Sequence, residues 1–116
     1  MAMDELRLFG GVVNAPAFLP AEVIAACSTY REAVRASWMH RRIKGMTQRT
    51  LAELTECYAS HMSDYLAADD KPTRRSLPAE KLSAWAAVTG NWGVQQWLMH
   101  QAKLTVMEEV IALRAA

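Results

Sequence analysis

"MTQRTLAELTECYASHMSDYLA", residues 46–67, reads as two short helical patterns placed end to end. Thr47 offers a capping hydroxyl, and Leu51, Leu54 and Tyr58 then recur at helical spacing. Around Glu56–Tyr58 the pattern breaks. Beyond it Met62, Tyr65 and Leu66 form a new apolar set against polar Ser60, His61, Ser63 and Asp64. A break of this kind serves to hold the second helix out at an angle to the first.

Upstream, Val23, Cys27, Tyr30, Val34 and Trp38 recur every three or four residues, which predicts one long helix from Ala21 to near Lys44. His40, Arg41, Arg42 and Lys44 suit its negative end, and Gly45 suits its C-cap. Residues 1–20 carry Gly10, Gly11, Pro16 and Pro20 and read as an N-terminal arm. Downstream, "AADDKPTRRS" (67–76) is a polar connector in which Asp69-Asp70 reads as solvated turn chemistry. Ser76 and Pro78 open a further helix with Leu82, Trp85, Ala86 and Val88 facing inward, closed by Gly90-Asn91. A last long helix runs from about Gly93 to Arg114. The expected fold is all-α: an arm (1–20), a five-helix domain whose first four helices occupy 21–92, and a long C-terminal helix (93–116).

Composition excludes several classes. The chain has 116 residues, 52% hydrophobic and 22% charged, with a formal net charge of +1, which is enough for one domain with a core and too balanced for a basic or disordered protein. Cys27 and Cys57 stand far apart, so neither a disulfide framework nor a zinc finger is expected. No stretch reaches the roughly 18 apolar residues of a membrane span, which makes a cytoplasmic location the expectation. His40, His61 and His100 lie on different predicted helices, and no H-E-x-x-H, G-x-S-x-G or glycine-rich phosphate loop occurs. No catalytic residue, metal, cofactor or small-molecule ligand is therefore expected. Trp38, Trp85 and Trp97 fit buried stripes, whereas Trp92, in the turn, stands out as a possible contact residue.

Two short helices behind a longer one predict a helix-turn-helix, whose first helix crosses the DNA backbone and whose second enters the major groove. Leu51, Ala52, Leu54, Cys57 and Met62 fall where such a unit needs apolar or small side chains. "MTQRTLAEL" resembles the opening of lambda-repressor-like helix-turn-helix domains. "MSDYLAADDKPTRRSLPAEKLSAWAAVTGNWGVQQWLMHQA" resembles the later half of phage regulatory proteins of the CII type from P2-like phages and prophages, with Thr89-Gly90-Asn91 and Trp97-Leu98 matching their turn and following helix. Glu56 departs from that family where it often has the glycine of the turn, and Tyr58 where it usually has a capping serine or threonine. The register of the reading face is thereby left open.

The resemblance implies a sequence-specific transcriptional regulator binding double-stranded DNA. Ala59, Ser60, His61 and Asp64, opposite Met62 and Tyr65, are then the residues directed at base edges, with Asp64 able to accept from a cytosine amino group. Gln48 and Arg49, at the positive end of their helix, would hold a phosphate, joined by Lys44, Lys71, Arg74 and Arg75.

The last helix carries two apolar stripes, one through Ala102, Val106, Val110 and Leu113 and one through Trp97, Leu104, Met107 and Ile111. Its own core needs one. The second is expected to pair with another copy as a homodimer or higher homo-oligomer, placing Trp97, Leu104, Met107 and Ile111 at the interface. Two alternatives stay open: the arm, with Leu6, Leu8, Phe9 and Phe18, folds back over that stripe, or the whole chain is a protein-interaction module on a helix-turn-helix scaffold that binds another regulator or phage component.

Overall fold

The computed structural model describes the backbone of residues 7–8 and 11–12 and, with side chains, residues 15–115. Six helices follow one another: α1 (Ala21–Ala25), α2 (Tyr30–Met39), α3 (Gln48–Leu54), α4 (Ala59–Tyr65), α5 (Leu82–Thr89) and α6 (Gly93–Ala115). A 3-10 turn at Ala79–Lys81 leads into α5. Ahead of the helices, β1 (Arg7–Leu8) pairs antiparallel with β2 (Gly11–Val12). The all-α expectation holds, and no helix among the described residues is long and apolar enough to cross a membrane.

The expected helix over 21–44 is two helices. Thr29 has an extended backbone (φ −133°), and its side chain accepts from the Glu32 amide, while the Glu32 carboxylate accepts from the Ser28 amide. Reciprocal capping of this kind starts a new helix within an apolar stripe that runs straight through the break. At its far end α2 stops at Met39 rather than Lys44, because the chain is drawn toward the α5–α6 turn. The Arg42 amide donates to Thr89 O at 2.7 Å, and Asn91 Nδ2 donates to Ser37 O at 2.9 Å. Arg41, Arg42 and Lys44 thus lie in a loop, and Gly45 is not a helix cap.

Val34, Leu51, Ala52, Met62, Tyr65, Leu77, Trp85 and Val94 form the main core, with Trp38 packed on it. A smaller cluster joins Leu19, Ile24, Ala33 and Trp97 beneath α1. Leu54, expected inside, is 58% exposed because α3 ends there and its last turn faces outward. Between α2, α5 and α6 runs a buried polar thread. Trp85 Nε1 donates to Ser37 Oγ (2.9 Å), Ser37 Oγ donates to Asn91 Oδ1 (2.7 Å), and that oxygen also accepts from the Gly93 amide at the start of α6 (3.0 Å). One asparagine therefore ties α2 to the helix it caps. Before it, Gly90 closes α5 in the left-handed conformation (φ +82°), and a Cβ there would lie 2.8 Å from the Arg42 side chain. Both constraints select glycine.

Residues 15–20 are a strap laid across this turn. The Ala17 amide donates to Gly90 O and the Trp92 amide to Ala17 O, while Leu19 and the Gln96 side chain exchange two hydrogen bonds at 2.8 and 3.0 Å. Trp92 is half-buried here. Of the apolar arm residues expected to fold back, Leu6, Leu8 and Phe9 lie outside the side chains described, and Phe18 is 76% exposed. Past Gln101 the last helix leaves the body of the protein. Every residue from 102 to 115 is exposed, and the radius of gyration is 16.4 Å. A compact chain of this length would have a radius of about 13 Å.

Candidate nucleic-acid interface

Helices α3 and α4 each have seven residues and are joined by Thr55–Tyr58. Thr47 caps α3, its hydroxyl accepting from the Thr50 amide at 3.2 Å. In the turn, Glu56 has φ +56° and is the one non-glycine residue with positive φ among those described. Its carbonyl accepts from Lys81 Nζ at 3.1 Å, which ties the turn to the start of α5. The Cys57 amide then donates back to Ala52 O at 2.8 Å, so the chain reverses tightly over the small Ala52 side chain. Tyr58 occupies the N-cap of α4 without a side-chain cap bond. Its ring meets His61 edge-on, with centroids 5.0 Å apart, and His61 in turn meets Tyr65 at 6.5 Å.

Met62 and Tyr65 point into the core, which turns the remainder of α4 outward. Ala59 and Ser60 are exposed; His61 is half-buried between the two tyrosines. Asp64 is further committed. Its carboxylate pairs with Arg74 at 3.2 Å and Arg75 at 3.0 Å, and its side chain is 14% exposed. The Arg74 guanidinium, helped by Arg75, holds this carboxyl below the ordinary carboxylate range against the opposing effect of burial.

Arg74 and Arg75 were expected at phosphates and Asp64 at a base; the fold brings the three together. Arg74 also grips Asp69 at 3.0 Å and lowers the pKa of that carboxyl as well. Sequence reading missed the centre of the arrangement, Arg31. This side chain, 5% exposed on α2, reaches Asp70 at 3.0 Å and donates to the backbone carbonyls of Asp64 and Arg75. Both carboxylates of Asp69-Asp70 thus have arginine partners, although Asp70 keeps most of its side chain in solvent. Asp69-Asp70 followed by Arg74-Arg75 was the available signal, since acids and bases four to six apart in a loop can close on one another; Asp64, ten residues before Arg74, carried no such mark. Three carboxylates and three guanidiniums balance within this network, and of the connector's cations only Lys71 lies outside it.

The other expected phosphate residues remain on the surface and do not join this network. Gln48 and Arg49 are exposed at the start of α3, with Arg49 3.5 Å from Glu53. Lys44 Nζ donates to Met39 O, and Lys71 is exposed in the connector. Arg41 and Arg42 have structural tasks. Arg41 lies 4.0 Å over the Trp38 ring and donates to Lys44 O, and Arg42 donates to Ala15 O across the strap.

On α6, Leu104, Met107 and Ile111 are exposed, but Trp97 is buried at 9% and its indole donates to Cys27 O at 3.0 Å. Trp97 belongs to the core of its own chain, because the face it shares with Val94 is the one that α6 lays against α1 and α2. Both cysteines are free thiols, and the described residues contain no cluster of three or more His, Cys, Asp or Glu able to hold a metal. Comparison with protein-family models, with curated proteins and with solved structures finds no match to the chain.

Proposed function

We propose that this protein is a DNA-binding transcriptional regulator of the helix-turn-helix type, related to phage regulators of the CII kind, acting as a homo-oligomer on paired sites and carrying no catalytic activity. The observation that supports this reading most is the α3–turn–α4 unit. Glu56 takes the left-handed conformation at the position where the resemblance expects the glycine of the turn, four residues after the small Ala52. Ser60 and His61 then stand on the outer face of α4, with Gln48 and Arg49 exposed at the head of α3. In this reading α4 enters the major groove, Ser60 and His61 approach base edges, and Gln48, Arg49, Lys44 and Lys71 contact the backbone. Asp64, already paired with two arginines, supports α4 rather than reading a base.

The pairing of Arg74 and Arg75 with carboxylates favours a second reading, an interaction module for another regulator or phage component, since binding to DNA draws on unpaired cations. Selection of bound duplexes from a random pool at moderate salt separates the two. The regulator yields an enriched motif of related half-sites. His61→Ala and Ser60→Ala then relax its sequence preference, while Gln48→Ala weakens binding to all sequences alike. No enrichment by the folded protein removes the DNA reading and leaves the module.

A further inference from the structure

The helix that projects from the body is apolar along one side, and that side leads into a groove. Phe18, Ile24 and Ala25 form one wall of the groove, and Met99, His100 and Lys103 form the other, enclosing about 560 Å³. Val106, Met107, Val110, Ile111 and Arg114 continue the same face of α6 to its end. From Met99 the spacing runs 99, 103, 106, 110, 113, alternating four and three, which is the seam one helix presents to another.

We propose that two copies of this chain pair through α6 in antiparallel orientation, the last turns of each helix lying in the partner's groove between α1 and α6. Three observations select a second copy as the occupant. The seam and the groove belong to one continuous face, so a two-fold axis near Val106–Met107 sets the end of each helix opposite the other's groove, with Val110 facing Lys103 and Leu113 facing His100. Charge selects the orientation. In an antiparallel pair Lys103 faces Val110 and Arg114 faces Met99, so no cation lies directly opposite another and the negative helix end approaches His100 and Lys103, whereas a parallel pair stacks Lys103 on Lys103 and Arg114 on Arg114. Area fits as well. Phe18, Met99, Ile111 and Leu113 are 76, 73, 63 and 71% exposed. With Val106, Met107 and Val110 they offer on the order of 750 Å² per copy, close to the roughly 800 Å² per partner of a standard stable interface. A projecting helical segment as short as residues 102–115 is also marginal by itself in water.

The proposal deepens the paired-site reading by naming what joins the copies, and its test contains no DNA, so the two readings fail separately. Sedimentation equilibrium of the full chain between 1 and about 100 µM should give a dimer. Val110→Asp on the seam and Ala25→Glu in the groove wall should each raise the dissociation constant at least about tenfold while leaving circular dichroism unchanged. Ala25→Glu lies on a different helix, so it remains informative if Val110→Asp frays α6. Mixing Lys103→Cys with Val110→Cys under mild oxidation should join position 103 to position 110, identified by peptide mass. A monomer throughout that range, with or without a co-purified amphiphile in the groove, overturns the proposal. So does a dimer indifferent to Ala25→Glu, or one in which each cysteine joins its own counterpart.

Discussion

Glu56 shows how one residue can hold a fold in place at a cost to itself. A non-glycine residue in the left-handed region carries a penalty of about 1–2 kcal/mol, of which glycine would return part through its greater freedom in the unfolded chain. Its fixed contact here, Lys81 Nζ to the Glu56 carbonyl, is made to backbone and survives substitution. Glu56→Gly should therefore stabilise the protein by about 0.5–1 kcal/mol in urea unfolding, with no loss of the turn. Ser37 is the opposite case. It accepts from Trp85 Nε1 and donates to Asn91 Oδ1 while fully buried, so Ser37→Ala should cost about 1–3 kcal/mol, read from the same unfolding curve. The turn was legible in the sequence because Thr47 and the apolar positions around Ala52 speak locally. Ser37 was not, since a serine in an apolar helix has no sequence mark that separates a buried linchpin from a solvated hydroxyl.

The elements divide in the same way. Helices α3, α4 and α6 follow from periodicity and caps and start close to where their patterns do, while α5 stops at Gly90 as expected but begins only at Leu82, after the 3-10 turn that follows Pro78. The break between α1 and α2 was hidden by a stripe that continues across it, although the Ser28-Thr29 and Glu32 pattern carries the signal of a new N-terminus. The connector after α4 was legible as a loop but not as an ionic one, because Arg31, which organises it, lies 39 residues before Asp70 in the chain. Arg31→Met removes the donor for two backbone carbonyls while leaving Asp70, 61% exposed, to water. The expected cost is about 2–3 kcal/mol, most of it from the carbonyls rather than the ion pair. Acid should act on the same loop. Asp64 and Asp69 have lowered pKa values when folded, so the stability they contribute is complete above the unfolded carboxylate pKa and is lost as pH falls through the folded values. Unfolding free energy should hold steady down to about pH 5 and fall below about pH 4, and Asp64→Asn should flatten that decline.

At the scale of the molecule, electrostatics gives the DNA reading a quantitative test. If Arg74 and Arg75 stay on their carboxylates, Lys44, Arg49 and Lys71 are the cations offered to phosphate. The logarithm of the binding constant should then fall with the logarithm of salt at a slope of about −3 per copy, rising toward −4.5 only if both arginines change partners. Fluorescence anisotropy over a salt series reads this directly, and a slope near zero speaks for the interaction module. The strap has a consequence of a different kind. Leu19 and Gln96 are bonded in both directions across 77 residues, so these contacts close about two-thirds of the chain into a ring. Local helix pairs form early and cheaply, but such a closure has the largest loop entropy of any hydrogen bond among the described residues and is met only after the intervening helices are in place. The Leu19 amide should accordingly report a late folding event. In hydrogen exchange it becomes a clock for the moment when the strap finds the head of the last helix.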